Sequence, residues 1–137
     1  MTQEQKDKLL KYLCMALPYG VKFLRESWNY EWDQEMSVVE TLEDIDNKGY
    51  INHTRVYKVE DIKPYLRPMS SMTEEEKVEY FGNRMTPWAQ NEFGESYTEA
   101  VMQYRIDFLL EHHFDYCGLI DKGIAIEVTK ENNPYKD

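Results

Sequence analysis

The stretch Ile62–Glu76 constrains the fold more than any other part of the chain, because it holds Pro64, Pro68 and the pair Thr73 and Glu76. Proline lacks the amide that a β-ladder or a helix interior needs. Ile62–Pro68 therefore reads as a helical turn broken by Pro64, not as a strand. Thr73 and Glu76 have capping-box spacing, in which hydroxyl and carboxylate each take an otherwise orphaned amide. Glu74 and Glu75 suit the positive end of the same helix dipole. The chain on the N-terminal side of this joint is mostly strand-like, and the chain on its C-terminal side is mostly helix-like.

Before the joint, residues 3–17 read as an amphipathic helix capped by Thr2, with Leu9, Leu10, Leu13, Cys14 and Leu17 on one face. Pro18-Tyr19-Gly20 turns the chain. A strand is expected near Gly20–Ser27, with Val21 and Phe23 on one side and Lys22 and Leu24 on the other. Trp28 to Asp33 alternates ring and polar group, so an extended backbone would line up Trp28, Tyr30 and Trp32. A second strand is expected near Met36–Leu42. Asp46-Asn47-Lys48-Gly49 is a turn, and Tyr50–Val59 reads as one or two short strands completing a small antiparallel meander.

After the joint, a helix to about Phe81 is expected, closed by Gly82. Ser96 and Glu99 form a second capping box, opening a helix to about His113. Its stripe of Val101, Tyr104, Phe108 and Leu109, widened by Met102, Ile106, Leu110 and His113, predicts a place at the centre of the core. Ile124–Thr129 reads as a last strand that joins the sheet, because its alternating face needs a partner. The tail from Lys130 to Asp137 is expected to fray. The fold class is α+β, with residues 1–129 as a single domain: an N-terminal helix, a small antiparallel sheet, two C-terminal helices and a closing strand.

Charge narrows the function classes. Up to Pro68 there are 10 Lys and Arg against 12 Asp and Glu; from Met69 there are 6 against 14, so most of the net charge of −10 belongs to the second part. A phosphate backbone would be repelled there, which argues against nucleic acid, whereas a basic protein partner would be attracted. The first apolar run is interrupted by Lys11 and ended by Pro18, and no segment has the length and apolarity of a membrane span. Cytoplasmic residence is the resulting expectation, with Cys14 and Cys117 as free buried thiols.

No catalytic constellation stands out. His112, His113, Asp115 and Cys117 have metal-ligand chemistry, but adjacent helical residues point about 100° apart, and histidines suit a helix C-terminus. Asp115 could accept a bond in the turn instead. Ser70 and Ser71 lack a nucleophile context and read as turn hydroxyls. Trp28, Tyr30 and Trp32 either cover the sheet's core face or form a protein-contact surface, with Glu31 and Asp33 disfavouring a nucleic-acid guest. No cofactor or metal is expected.

Three blocks of the chain carry a resemblance: Leu17-Pro18-Tyr19-Gly20-Val21-Lys22; Ile62 to Glu76; and His112-His113-Phe114-Asp115-Tyr116 with Gly118-Leu119-Ile120-Asp121-Lys122-Gly123. Together they resemble a group of small uncharacterised proteins of bacteroidete phages and integrated mobile elements, over about a quarter of the chain. The resemblance implies a phage or prophage context and carries over no catalytic or binding residue. The expectation is an accessory protein acting by contact with a host or phage protein, one version being an acidic decoy or inhibitor of a host factor. The alternative is a small enzyme whose carboxylates and histidines only the fold brings together.

Overall fold

The structure, a computed structural model, describes residues 1–29, 31–81 and 97–136, with the side chains of 27–29 and 97–101 left aside. Its first element, α1 (Gln3–Ala16), starts as the sequence predicts. Thr2 Oγ1 accepts the Gln5 amide at 3.1 Å, and Gln5 Oε1 accepts the Thr2 amide at 2.9 Å. The buried stripe is Leu9, Tyr12, Leu13 and Ala16. This rotates the inner face away from the predicted one: Cys14 is exposed, and Cys117 is only half-buried. Both thiols are free; Cys14 faces outward, and Cys117 packs against the edge of the core without being fully buried in it.

Strands β1 (Lys22–Asn29) and β2 (Gln34–Thr41) form an antiparallel hairpin whose register runs from Lys22 opposite Thr41 to Asn29 opposite Gln34. Val21 and Phe23 are fully buried while Lys22 and Leu24 are half-exposed, as alternation requires. The extended run expected from Trp28 to Asp33 does not form. The chain reverses through residues 31–33, with Asp33 at φ 49°, a conformation that Asp tolerates better than most residues.

Between Leu42 and Val59 the predicted turn is present, with Gly49 at φ 84° and its amide on the Asp46 carbonyl. The strands expected over Tyr50–Val59 are absent, and only isolated bridges occur there, Ile45 with Ile51 and Tyr50 with Lys58. Side chains have taken the backbone groups that a ladder needs. Asp46 Oδ1 accepts the Lys48 and Tyr50 amides, and Asn52 Oδ1 accepts those of Glu43 and Asp44.

The meander's third strand lies instead where the prolines argue against one. Strand β3 (Ile62–Leu66) pairs antiparallel with β1, Pro64 standing opposite Phe23. The Tyr65 carbonyl faces the β1 side, where the Tyr135 hydroxyl bridges it to the Lys22 amide. By alternation the Pro64 nitrogen faces away from β1, and on that side pairing begins only at Tyr65. The missing amide therefore falls where no bond is required.

Helix α2 (Glu74–Phe81) comes next, with the expected capping box: Thr73 Oγ1 accepts the Glu76 amide, and Glu76 Oε1 accepts the Thr73 amide. The expectations for Gly82 and Ser96 fall outside the described residues. Helix α3 (Tyr97–Glu111) buries Phe108, Leu109 and Leu110, while Met102 and Tyr104 are 58% and 39% exposed. Among its described side chains only those of the last turns reach the core, so the predicted central role passes to α1 and the sheet.

Strand β4 (Ile126–Glu127) pairs with β3 in parallel, giving the order β2-β1-β3-β4. The sheet is therefore mixed, where the sequence predicts a wholly antiparallel one. The long crossover through α2 and α3 brings the chain back in its original direction. The α+β class holds, and the core joins Leu9, Tyr12 and Leu13 of α1 to Val21, Phe23, Ile62 and Leu66 of the sheet. A smaller cluster of Met72, Phe108, Leu109 and Phe114 adjoins α2 and α3. No helix among the described residues is long and apolar enough to cross a membrane.

Candidate functional site

Two regions gather chemistry-bearing side chains: a half-buried junction and an open cleft. The junction gives Tyr65-Leu66-Arg67 its reason. Arg67 meets Glu76 as a two-pronged pair at 2.6 and 2.7 Å and lies 4.2 Å above the Phe114 ring. Its backbone continues the sheet, its amide donating to the His113 carbonyl and its carbonyl accepting from the Asp115 amide, both at 2.8 Å. The Arg67 guanidinium, as hydrogen-bond donor, pulls the Glu76 carboxyl down to about 2, with the Thr73 amide assisting. His112 Nδ1 lies 3.6 Å from the same carboxylate.

The residues with metal-ligand chemistry point apart. Asp115 is buried, and its two oxygens accept the Leu119 and Ile120 amides at 2.8 and 2.9 Å, so it serves the turn. His113 ends α3 in a left-handed conformation, φ 63°, with its amide on the Leu110 carbonyl and the Phe114 amide on the Leu109 carbonyl. This is the helix stop usually assigned to glycine. Its ring stacks on Tyr135 with centroids 3.8 Å apart, and its Nδ1 has no hydrogen-bond partner among the described residues. Burial holds its pKa down to about 4, so the imidazole is neutral near pH 7 and lends no charge to the helix end. Burial pushes the Cys117 thiol up, away from thiolate character. Among the described residues no group of three such side chains could hold a metal ion. Ser71 is a turn hydroxyl, donating to the Pro68 carbonyl at 2.7 Å.

Tyr135 stands in the tail expected to fray, yet it is a fixed point of the junction. Its hydroxyl accepts the Lys22 amide at 2.8 Å and donates to the Tyr65 carbonyl at 2.7 Å. Burial pushes its pKa well up. Sequence reasoning misses this residue, and the one available signal is a lone ring in an otherwise polar segment. The three blocks that carry the resemblance thus meet in space, through Lys22, through Tyr65 and Arg67, and through His113 and Asp115.

The open cleft, of about 640 Å³, borders the sheet. Leu24, Val56 and Ile126 give it an apolar lining, and Glu26, Glu35, Glu60 and Asp61 surround this with carboxylates against the single cation Lys63. Opposing strand positions bring them together, since Leu24 stands opposite both Val39 and Lys63. Glu60 has a long contact to Lys6 at 3.8 Å, and neither Glu26 nor Glu35 forms an ion pair among the described residues.

Of the three predicted rings, Trp28 holds a β1 position opposite Glu35, one of the cleft residues. Trp32 lies in the hairpin turn and is 63% exposed. Tyr30 lies outside the described residues. The backbone turn at residues 31–33 interrupts the extended run on which the three were to align. Comparison of the chain with protein-family models, with curated proteins and with solved structures found no match.

Proposed function

We propose that this chain is a non-catalytic accessory protein of phage or mobile-element origin that binds a basic segment of another protein along the open side of its sheet. The observation that carries the reading is the composition of the cleft: four carboxylates and one lysine around Leu24, Val56 and Ile126. Apolar side chains there supply contact area, and the carboxylates select for Lys and Arg. Trp32, exposed at the hairpin tip, and Trp28, at the β1 position opposite Glu35, place two aromatic residues of the kind that anchors protein interfaces in the neighbouring hairpin. The net charge of −10 extends the attraction beyond contact range. In this role the protein acts as an acidic decoy, occupying a basic surface on a host factor.

The titratable groups of the junction serve a different purpose. Glu76 is held by Arg67, Asp115 by two amides, and His113 by its stack on Tyr135; none of them lines the cleft. That distribution supports binding over a fold-assembled enzyme.

The test compares the parent protein with a Glu26→Lys, Glu60→Lys double variant as bait in host lysate at low salt. Capture of a basic protein by the parent, lost in the variant and in high salt, is the expected result. Equal capture by both, or none by either, would sink the proposal.

A further inference from the structure

A second cleft, of about 290 Å³, has the opposite character. Arg67, Lys130 and Lys136 line it together with Ser71, Thr129 and Asn133, and no carboxylate side chain is among its walls. From Met69 onward the chain has only 6 Lys and Arg against 14 Asp and Glu. Two of those six cations are gathered here beside Arg67.

Lys130 is carried on a loop fixed at both ends, and Lys136 directly follows its second anchor. At one end the Val128 amide bonds to the Leu66 carbonyl at 2.8 Å. At the other, Tyr135 is bound to Tyr65 and Lys22 and stacked on His113. Between them Asn132 Oδ1 accepts from the Thr129 hydroxyl at 2.7 Å, and Asn132 Nδ2 donates to the Glu127 carbonyl at 3.0 Å. Lys130 and Lys136 form no ion pair among the described residues. Arg67 is held on Glu76, but its five N–H groups exceed the four contacts it makes, so one on Nη1 is left over. Holding cations together costs repulsion, which an oxyanion between them would offset.

We propose that this cleft binds a small oxyanion of the phosphate type, with Lys130 and Lys136 supplying charge and Arg67 and Asn133 supplying further donors. The site is independent of the acidic cleft and of the role given to it.

The experiment is an amide-resolved NMR titration of the full chain with inorganic phosphate, ionic strength held constant with chloride. Saturable shifts centred on Ser71 and residues 129–133 are expected. A Lys130→Gln, Lys136→Gln variant should weaken binding about tenfold or more, since two charge-assisted contacts are removed. Tighter binding of O-phosphoserine than of inorganic phosphate would support the site and assign its ligand to a phosphorylated side chain; the reverse order would support it and assign a free ion. No saturable shift, shifts reproduced by chloride alone, or undiminished binding in the variant would overturn it.

Discussion

The phenol of Tyr135 lies flat on the imidazole of His113, with planes 9° from parallel. The contact joins the C-terminal segment to the residue that ends α3, while the same phenol's oxygen clamps the Lys22 amide to the Tyr65 carbonyl. One side chain thereby ties four parts of the chain together.

Tyr135→Phe keeps the stack and removes the clamp. It should cost about 1–2 kcal/mol of unfolding free energy, because the half-buried Lys22 amide loses its partner. Urea titration measures the loss, and hydrogen exchange at Lys22 should accelerate. An unchanged urea midpoint would mean that water replaces the hydroxyl.

His113 should make stability depend on pH. Its folded pKa, near 4, is below the 6.5 of an exposed histidine. As pH falls from 6.5 the unfolded chain takes up a proton that the folded chain refuses, so stability falls until about pH 4 and then levels on this account. Glu76 acts lower down: its folded pKa of about 2 is depressed from 4.5, so its contribution is complete above 4.5 and is lost as pH falls toward 2. Urea midpoints between neutral pH and about 4 should decline in the parent. They should decline less in His113→Phe, which keeps an aromatic ring on Tyr135.

Arg67→Lys tests the junction without removing its charge. A lysine cannot make the two-pronged contact with Glu76 or lie flat over Phe114, so a loss of about 1–3 kcal/mol is expected. Thermal unfolding would show it, and a melting temperature equal to the parent's would refute the importance of the fork.

Asp115→Asn should be as costly by a different route. The carboxylate accepts two amides inside the protein, and an asparagine presents an NH2 group to one of them. About 1–3 kcal/mol should be lost. Trp32→Ala, on an exposed turn, should weaken any complex formed beside the cleft, as a binding titration would show.

Local chemistry is legible in the sequence wherever a residue acts on its near neighbours. The Thr2 cap, the Asp46–Gly49 turn and the Thr73–Glu76 box can all be written from spacing alone. What escapes depends on partners far along the chain. Pro64 is tolerated in β3 because of where β4 begins, more than sixty residues later. His113 as a helix stop cannot be read from residue type, since the usual signal is Gly or Asn. The acidic cleft draws on residues 24–35, 56–63 and 126, a grouping that exists only after the sheet has formed. The three aromatic rings fit an ideal alternation, but a hairpin turn interrupts it at Asp33.

The parallel strand β4 also bears on how the chain acquires its structure. The β1–β2 hairpin links near neighbours and can form as soon as both strands exist. Pairing Tyr65 with Ile126 closes a loop of some sixty residues, and the Lys22–Tyr135 clamp spans 113. Contacts so distant carry a larger loop-closure entropy and are expected late on the folding route. On a ribosome the sheet would wait, unfinished at one edge, until β4 and Tyr135 emerge. Tyr135 would then serve as a latch on the finished sheet, leaving chains stopped short of it open to proteolysis.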